Sequence, residues 1–92
     1  MAEPPNNSLP SPSMESLFYM LATSALVNLG EVPNPVDQQQ KTDLALAGHN
    51  IDTIILLQEK TKGNLTPAEE RLCLEILNEL RLKYANASRV KK

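Results

Sequence analysis

Between Glu15 and Glu31 the chain carries no charged side chain; the run SLFYMLATSALVNLG, Ser16 to Gly30, is apolar or neutral throughout. A helix drawn through it places Leu17, Phe18, Leu21, Ala22, Ala25, Leu26 and Leu29 on one broad face, with Tyr19, Met20 and Val27 outside that face. A surface helix of a small bundle normally has a polar back, so a helix that is apolar nearly all round must be covered on both sides. The remainder of a 92-residue chain offers little material for that, and a core of this size is marginal alone, which points to association between chains. The same run does not make a membrane span. It is 15 residues long and includes Thr23, Ser24 and Asn28, whereas a span needs roughly 18 to 20 apolar residues. The Lys or Arg flanks of an interfacial helix are also missing.

Local punctuation divides the chain. Residues 1–12 hold Pro4, Pro5, Pro10 and Pro12 among Ser and Asn with a single Leu, a composition that predicts a disordered tail. A first helix is predicted over 13–29: Ser13 can cap it, Glu15 suits its first turn, and Gly30 supplies the residue after its C-cap. A second helix is predicted over 43–62, with Leu44, Ala47, Ile51, Ile54, Ile55 and Gln58 as its stripe, Lys60 and Lys62 in its last turn, and Gly63 as its stop. The third is predicted over 67–85, opened by Thr66, Pro67 and Glu69 as a capping box with proline in the first helical position. Its stripe is Leu72, Cys73, Ile76, Leu77, Leu80 and Tyr84, and a basic tail is expected over 87–92. Only Gly63, Asn64 and Leu65 separate the last two helices, so they should fold back as an antiparallel αα-hairpin. The expected fold class is all-α: a single domain over 13–86, made of that hairpin and the very apolar N-terminal helix, completed by oligomerisation.

The residue inventory leaves little room for catalysis. One cysteine excludes an intramolecular disulfide and a multi-cysteine zinc site, and with no basic and apolar leader in MAEPPNNSLPSPS the expected compartment is the cytoplasm. A Cys73–His49 dyad would need an exposed thiolate beside a cation, but Cys73 falls on the apolar stripe of the third helix and reads as a packed, inert thiol. His49, with Asp52 three residues on, reads as a rim or interface residue. Gly30, Gly48 and Gly63 are isolated, so no phosphate loop is written here and no cofactor is expected. The protein is therefore read as non-enzymatic, with no catalytic, cofactor-binding or metal-binding residue assigned.

Charge disfavours nucleic acid as a partner. Residues 1–46 carry Lys41 against Glu3, Glu15, Glu31, Asp37 and Asp43, a balance of −4, and residues 47–92 carry eight basic and six acidic residues, a balance of +2. The sum of −2 is no electrostatic footprint for phosphate. The last twelve residues do hold Arg81, Lys83, Arg89, Lys91 and Lys92 without an acid, a basic end that mainly complements the helix dipole.

The segments ALVNLGEVPNP at 25–35 and DLALAGHNIDTIILLQEKTKGNLTPAEERLCLEILNELRLKYA at 43–85, preceded by FYMLATS, resemble a family of short bacterial proteins known as domain of unknown function 1844. The resemblance covers about residues 16–85 and is most specific between Ile51 and Thr66. It implies a small, helical, bacterial and cytoplasmic protein, and it assigns no activity, substrate or catalytic residue. The family generally has a leucine-like residue where this chain has Cys73, a departure that further weakens a catalytic thiol.

Three functional readings remain. The leading one is a homo-oligomer held through helix one, with Leu17, Phe18, Leu21, Ala25, Leu26 and Leu29 as the contact stripe. The second is an adaptor that docks on a larger protein partner through the LQEKTKGNLT turn, with Lys60, Lys62 and Asn64 as its polar contacts. The third is weak binding of nucleic acid or an acidic surface through the basic C-terminal end.

Overall fold

The computed structural model describes residues 12–91, so nearly all of the Pro-rich tail expected over 1–12 lies outside the described residues. Three helices follow in order, α1 (Met14–Asn28), α2 (Leu44–Lys60) and α3 (Pro67–Lys91). No strand occurs among the described residues, and the fold is all-α.

Each start is set by a side chain that accepts an otherwise unpaired backbone amide. Ser13 Oγ accepts from the Ser16 amide at 3.0 Å, and Asp43 Oδ1 accepts from the Leu46 amide at 3.1 Å. At α3 the capping box is reciprocal: the Glu69 amide donates to Thr66 Oγ1 at 3.1 Å while Glu69 Oε1 accepts from the Thr66 amide at 2.8 Å.

The end of α1 fixes the architecture. Leu29 is its C-cap, the Gly30 amide donates to the Val27 carbonyl at 3.0 Å and the Glu31 amide to the Leu26 carbonyl at 2.9 Å, which together make a Schellman motif. Gly30 sits at φ +78°, in the left-handed region the motif requires. After the connection the chain returns to the same place: Leu29 and Thr42 form an antiparallel bridge, and the Asp43 amide donates to the Asn28 carbonyl at 2.7 Å. The start of α2 is thereby pinned to the end of α1.

Two helix ends differ from expectation. The second helix stops at Lys60 with Thr61 as its cap, whose hydroxyl and amide both donate to the Leu57 carbonyl, at 2.6 and 2.9 Å. Gly63, at φ +86°, lies in the turn beyond rather than directly after the cap. The third helix does not give way to a tail after Ala85 but continues to Lys91. From Asn86 onward there is no glycine or proline to stop it, and Arg89 favours its carbonyl end.

The core is assembled from one face of each helix: Phe18, Ala22, Ala25 and Leu29 from α1, Ala47, Ile51 and Ile54 from α2, and Cys73, Leu77 and Leu80 from α3. Three of these ten are alanines, whose small side chains let helix backbones approach closely. Gly48, early in α2, lies under the ring of Tyr84, late in α3, which makes α2 and α3 an antiparallel pair. Glu31, just past α1, forms an ion pair at 3.3 Å with Lys83, also late in α3, so α1 runs alongside α3 in the same direction.

The glycines should respond differently to alanine. At Gly30 a Cβ would lie 2.7 Å from Thr42 Oγ1 in left-handed backbone, so Gly30→Ala is expected to destabilise by about 2 kcal/mol. At Gly48 the nearest atom to a new Cβ is Tyr84 Cε2 at 3.7 Å, ordinary contact, so Gly48→Ala should stabilise by about 0.5–1 kcal/mol through helix propensity alone. Urea unfolding of the two variants beside the parent checks both signs.

Candidate functional site

Of the stripe expected to bind another chain, Phe18, Ala25 and Leu29 lie in the chain's own core. That part of the expectation is corrected, and the reason is physical: the α2–α3 hairpin presents enough apolar surface to cover this side of α1 by itself. Leu21 and Leu26 are half-buried and packed against the core, and Leu17 is half-buried. Of the residues placed outside the stripe, Val27 is half-buried and the other two are left in the open. Tyr19 is 57% exposed and Met20 62% exposed, with Thr23 and Ser24 exposed beside them. The outward side of α1 beyond Glu15 is therefore uncovered and uncharged.

Along one flank of this surface a groove of about 180 Å³ runs between α1 and α3, lined by Tyr19, Ala22, Thr23, Leu26, Ile76, Leu80 and Glu79. Along the other flank the contact between α1 and α2 is polar. Asn50 Oδ1 accepts from Asn28 Nδ2 at 2.8 Å and from the Ser24 hydroxyl at 3.5 Å. Sequence reasoning missed this clamp; its only trace is a pair of asparagines inside two apolar helical runs.

A second cleft, of about 290 Å³, opens between α2 and α3 and is lined by Gly48, Ile51, Asp52, Arg81 and Tyr84. A third, of about 260 Å³, lies beneath the α1–α2 connection and is polar, with Asn28, Asn34, Asp37, Gln39, Lys41, Thr42 and Asp43 among its walls.

The groups weighed for chemistry are kept apart. Cys73 is fully buried, and burial pushes its thiol up from the ordinary value, away from the reactive thiolate. His49 is exposed; it lies two residues from both core residues Ala47 and Ile51, on the opposite side of α2. Cys73 and His49 cannot form a relay in this fold. No cluster of three or more His, Cys, Asp or Glu that could hold a metal ion occurs among the described residues. No helix among the described residues is long and apolar enough to cross a membrane.

Lys60, Lys62 and Asn64 are all exposed on the turn between α2 and α3, where the Asn64 amide donates to the Thr61 carbonyl at 2.8 Å. At the basic end of α3, Lys83 is engaged by Glu31 at 3.3 Å and by Glu79 at 3.9 Å, which reduces the positive charge available to an anionic partner.

The family described as domain of unknown function (DUF1844) matches residues 11–86. No curated protein and no solved structure matches the chain.

The buried thiol gives a direct check of the core. In native protein Cys73 should react with a thiol reagent only through opening of the bundle, and urea should accelerate labelling in proportion to the unfolded fraction. Because folding raises its pKa, the thiol's contribution to stability is complete below the unfolded value near 9.0 and is lost as pH rises through the folded value. Cys73→Ala should lack that alkaline loss when both proteins are unfolded in urea across pH 7–10.

Proposed function

The chain belongs to the DUF1844 family, and from that premise we propose that it is a non-enzymatic bacterial protein of the cytoplasm whose function is self-association through α1. One observation carries this reading: the outward side of α1 is free of charge beyond Glu15 and exposes Tyr19 and Met20 to solvent. A solvent-facing helix normally presents charge there. Depletion of charge with enrichment of Tyr and Met is the composition of interface centres. A second copy of the chain, bringing the same surface, buries both sides of α1 as the sequence demands.

The interface proposed here is Tyr19 and Met20, bordered by the groove residues Leu26 and Ile76, rather than the whole of the stripe drawn from sequence. This choice also improves the test. An acidic residue at Leu21 or Leu26 would damage the core edge as well as any interface. Met20→Glu places a charge at an exposed position and leaves the core intact. Size exclusion with light scattering over about a hundredfold concentration range should give two or more chains for the parent. Met20→Glu should lower that mass, with helicity and melting unchanged. A parent that stays at the mass of one chain throughout overturns the reading.

A further inference from the structure

Neither backbone conformation nor close packing requires glycine at position 48. Its φ is not positive, and a Cβ built on it would meet nothing nearer than Tyr84 Cε2 at 3.7 Å. Inside a helix a glycine weakens the element that carries it. What Gly48 does provide is room: it forms part of the wall of the cleft of about 290 Å³ between α2 and α3, with Ile51, Asp52, Arg81 and Tyr84. These residues are ordered along the cleft. Asp52 stands four residues after Gly48, about 6 Å along α2, and Arg81 three residues before Tyr84, about 4.5 Å along α3. Because the helices are antiparallel with Gly48 under the Tyr84 ring, Asp52 and Arg81 fall at the same level on opposite walls. One end of the cleft therefore carries both signs of charge. The other is apolar, bounded by Gly48, the buried Ile51 and the half-buried Tyr84 ring.

The two charges do not neutralise each other. The ion pairs among the described residues are both made by Lys83, with Glu31 and Glu79, so Asp52 and Arg81 line the cleft without bridging it. A ligand of one sign would satisfy one wall and bring a like charge towards the other. We propose that this cleft binds a free α-amino acid with an apolar side chain. Such a molecule carries an ammonium and a carboxylate on one carbon and an apolar body beyond them, the same order in which the cleft presents its walls. The Arg81 guanidinium donates to the carboxylate through its forked N–H groups, and the Asp52 carboxylate accepts from the ammonium. The side chain lies against Ile51 and the Tyr84 ring, in the space that Gly48 leaves. The volume is at the small end for a ligand site, which suits a single amino acid. A peptide does not meet both walls, since its carboxyl end lacks the ammonium and its amino end the carboxylate. Asp52 and Arg81 are exposed, so each contact alone is weak and selectivity lies in making both at once.

The site does not use the α1 surface, so its test is independent of the oligomeric state. Backbone amide shifts of the full chain, titrated with L-phenylalanine or L-leucine to about 50 mM, read weak binding directly. Saturable shifts at Gly48, Asp52, Arg81 and Tyr84 are expected with at least one of the two. The same ligand without its ammonium, as the plain carboxylic acid, or without its carboxylate, as the plain amine, should bind roughly tenfold more weakly. Arg81→Gln and Asp52→Asn should each lose a similar factor for the intact amino acid, with helicity unchanged. Gly48→Ala separates room for a ligand from packing: it should bind the amino acid more weakly while unfolding at higher urea. A glycine with a purely structural role would not move those two readouts in opposite directions. Absence of saturable shifts with both amino acids overturns the proposal. So does equal binding of either half-charged analogue, or unchanged affinity in any of the three variants.

Discussion

Phe18 is the largest side chain of the fully enclosed core, and it belongs to α1. The bundle therefore closes only when α1 docks into the α2–α3 hairpin. Without α1, one side of Ile51, Ile54, Leu77 and Leu80 would face water, and burial of each such side chain contributes on the order of 1.5–3 kcal/mol. The docking is not left to hydrophobicity alone. The Schellman motif at Gly30, the Leu29–Thr42 bridge and the Asp43–Asn28 hydrogen bond hold the end of α1 against the start of α2. The Asn28–Asn50 bond then fixes which flank of α1 meets α2, since a slid helix would leave a half-buried amide unpaired.

Much of this was legible in the chain because it is local. Ser13, Thr66 with Glu69, and Gly30 each satisfy or redirect backbone groups within a few residues, so their roles follow from spacing alone. The end of α3 was not legible: Asn86 to Lys91 has no strong stop and no strong stripe, and whether such a segment stays helical is decided by small propensities. The end of α2 was misplaced by two residues for a related reason: before Gly63 no residue is a strong stop, and the last turn is decided by small propensities.

The orientation of α1 illustrates a different limit. Its stripe was identified, but with neutral residues all round, nothing in the sequence states which side the hairpin covers and which remains open. The fold answers by enclosing Phe18, Ala25 and Leu29 and leaving Tyr19 and Met20 outside. The surface proposed for association shifts accordingly to Tyr19 and Met20, which the sequence pattern places outside the stripe. Similarly, Leu46 and Leu56 became a surface feature only once α2 had committed Ala47, Ile51 and Ile54 to the core.

The distribution of polarity bears on what kind of function such a fold can support. Among the described residues no polar or charged side chain is buried, and the enclosed Cys73 thiol is pushed by desolvation away from the reactive thiolate. All three helices leave large apolar side chains exposed, Tyr19 and Met20 on α1, Leu46 and Leu56 on α2, and Leu74 and Leu82 on α3, because each has committed only one face to the core.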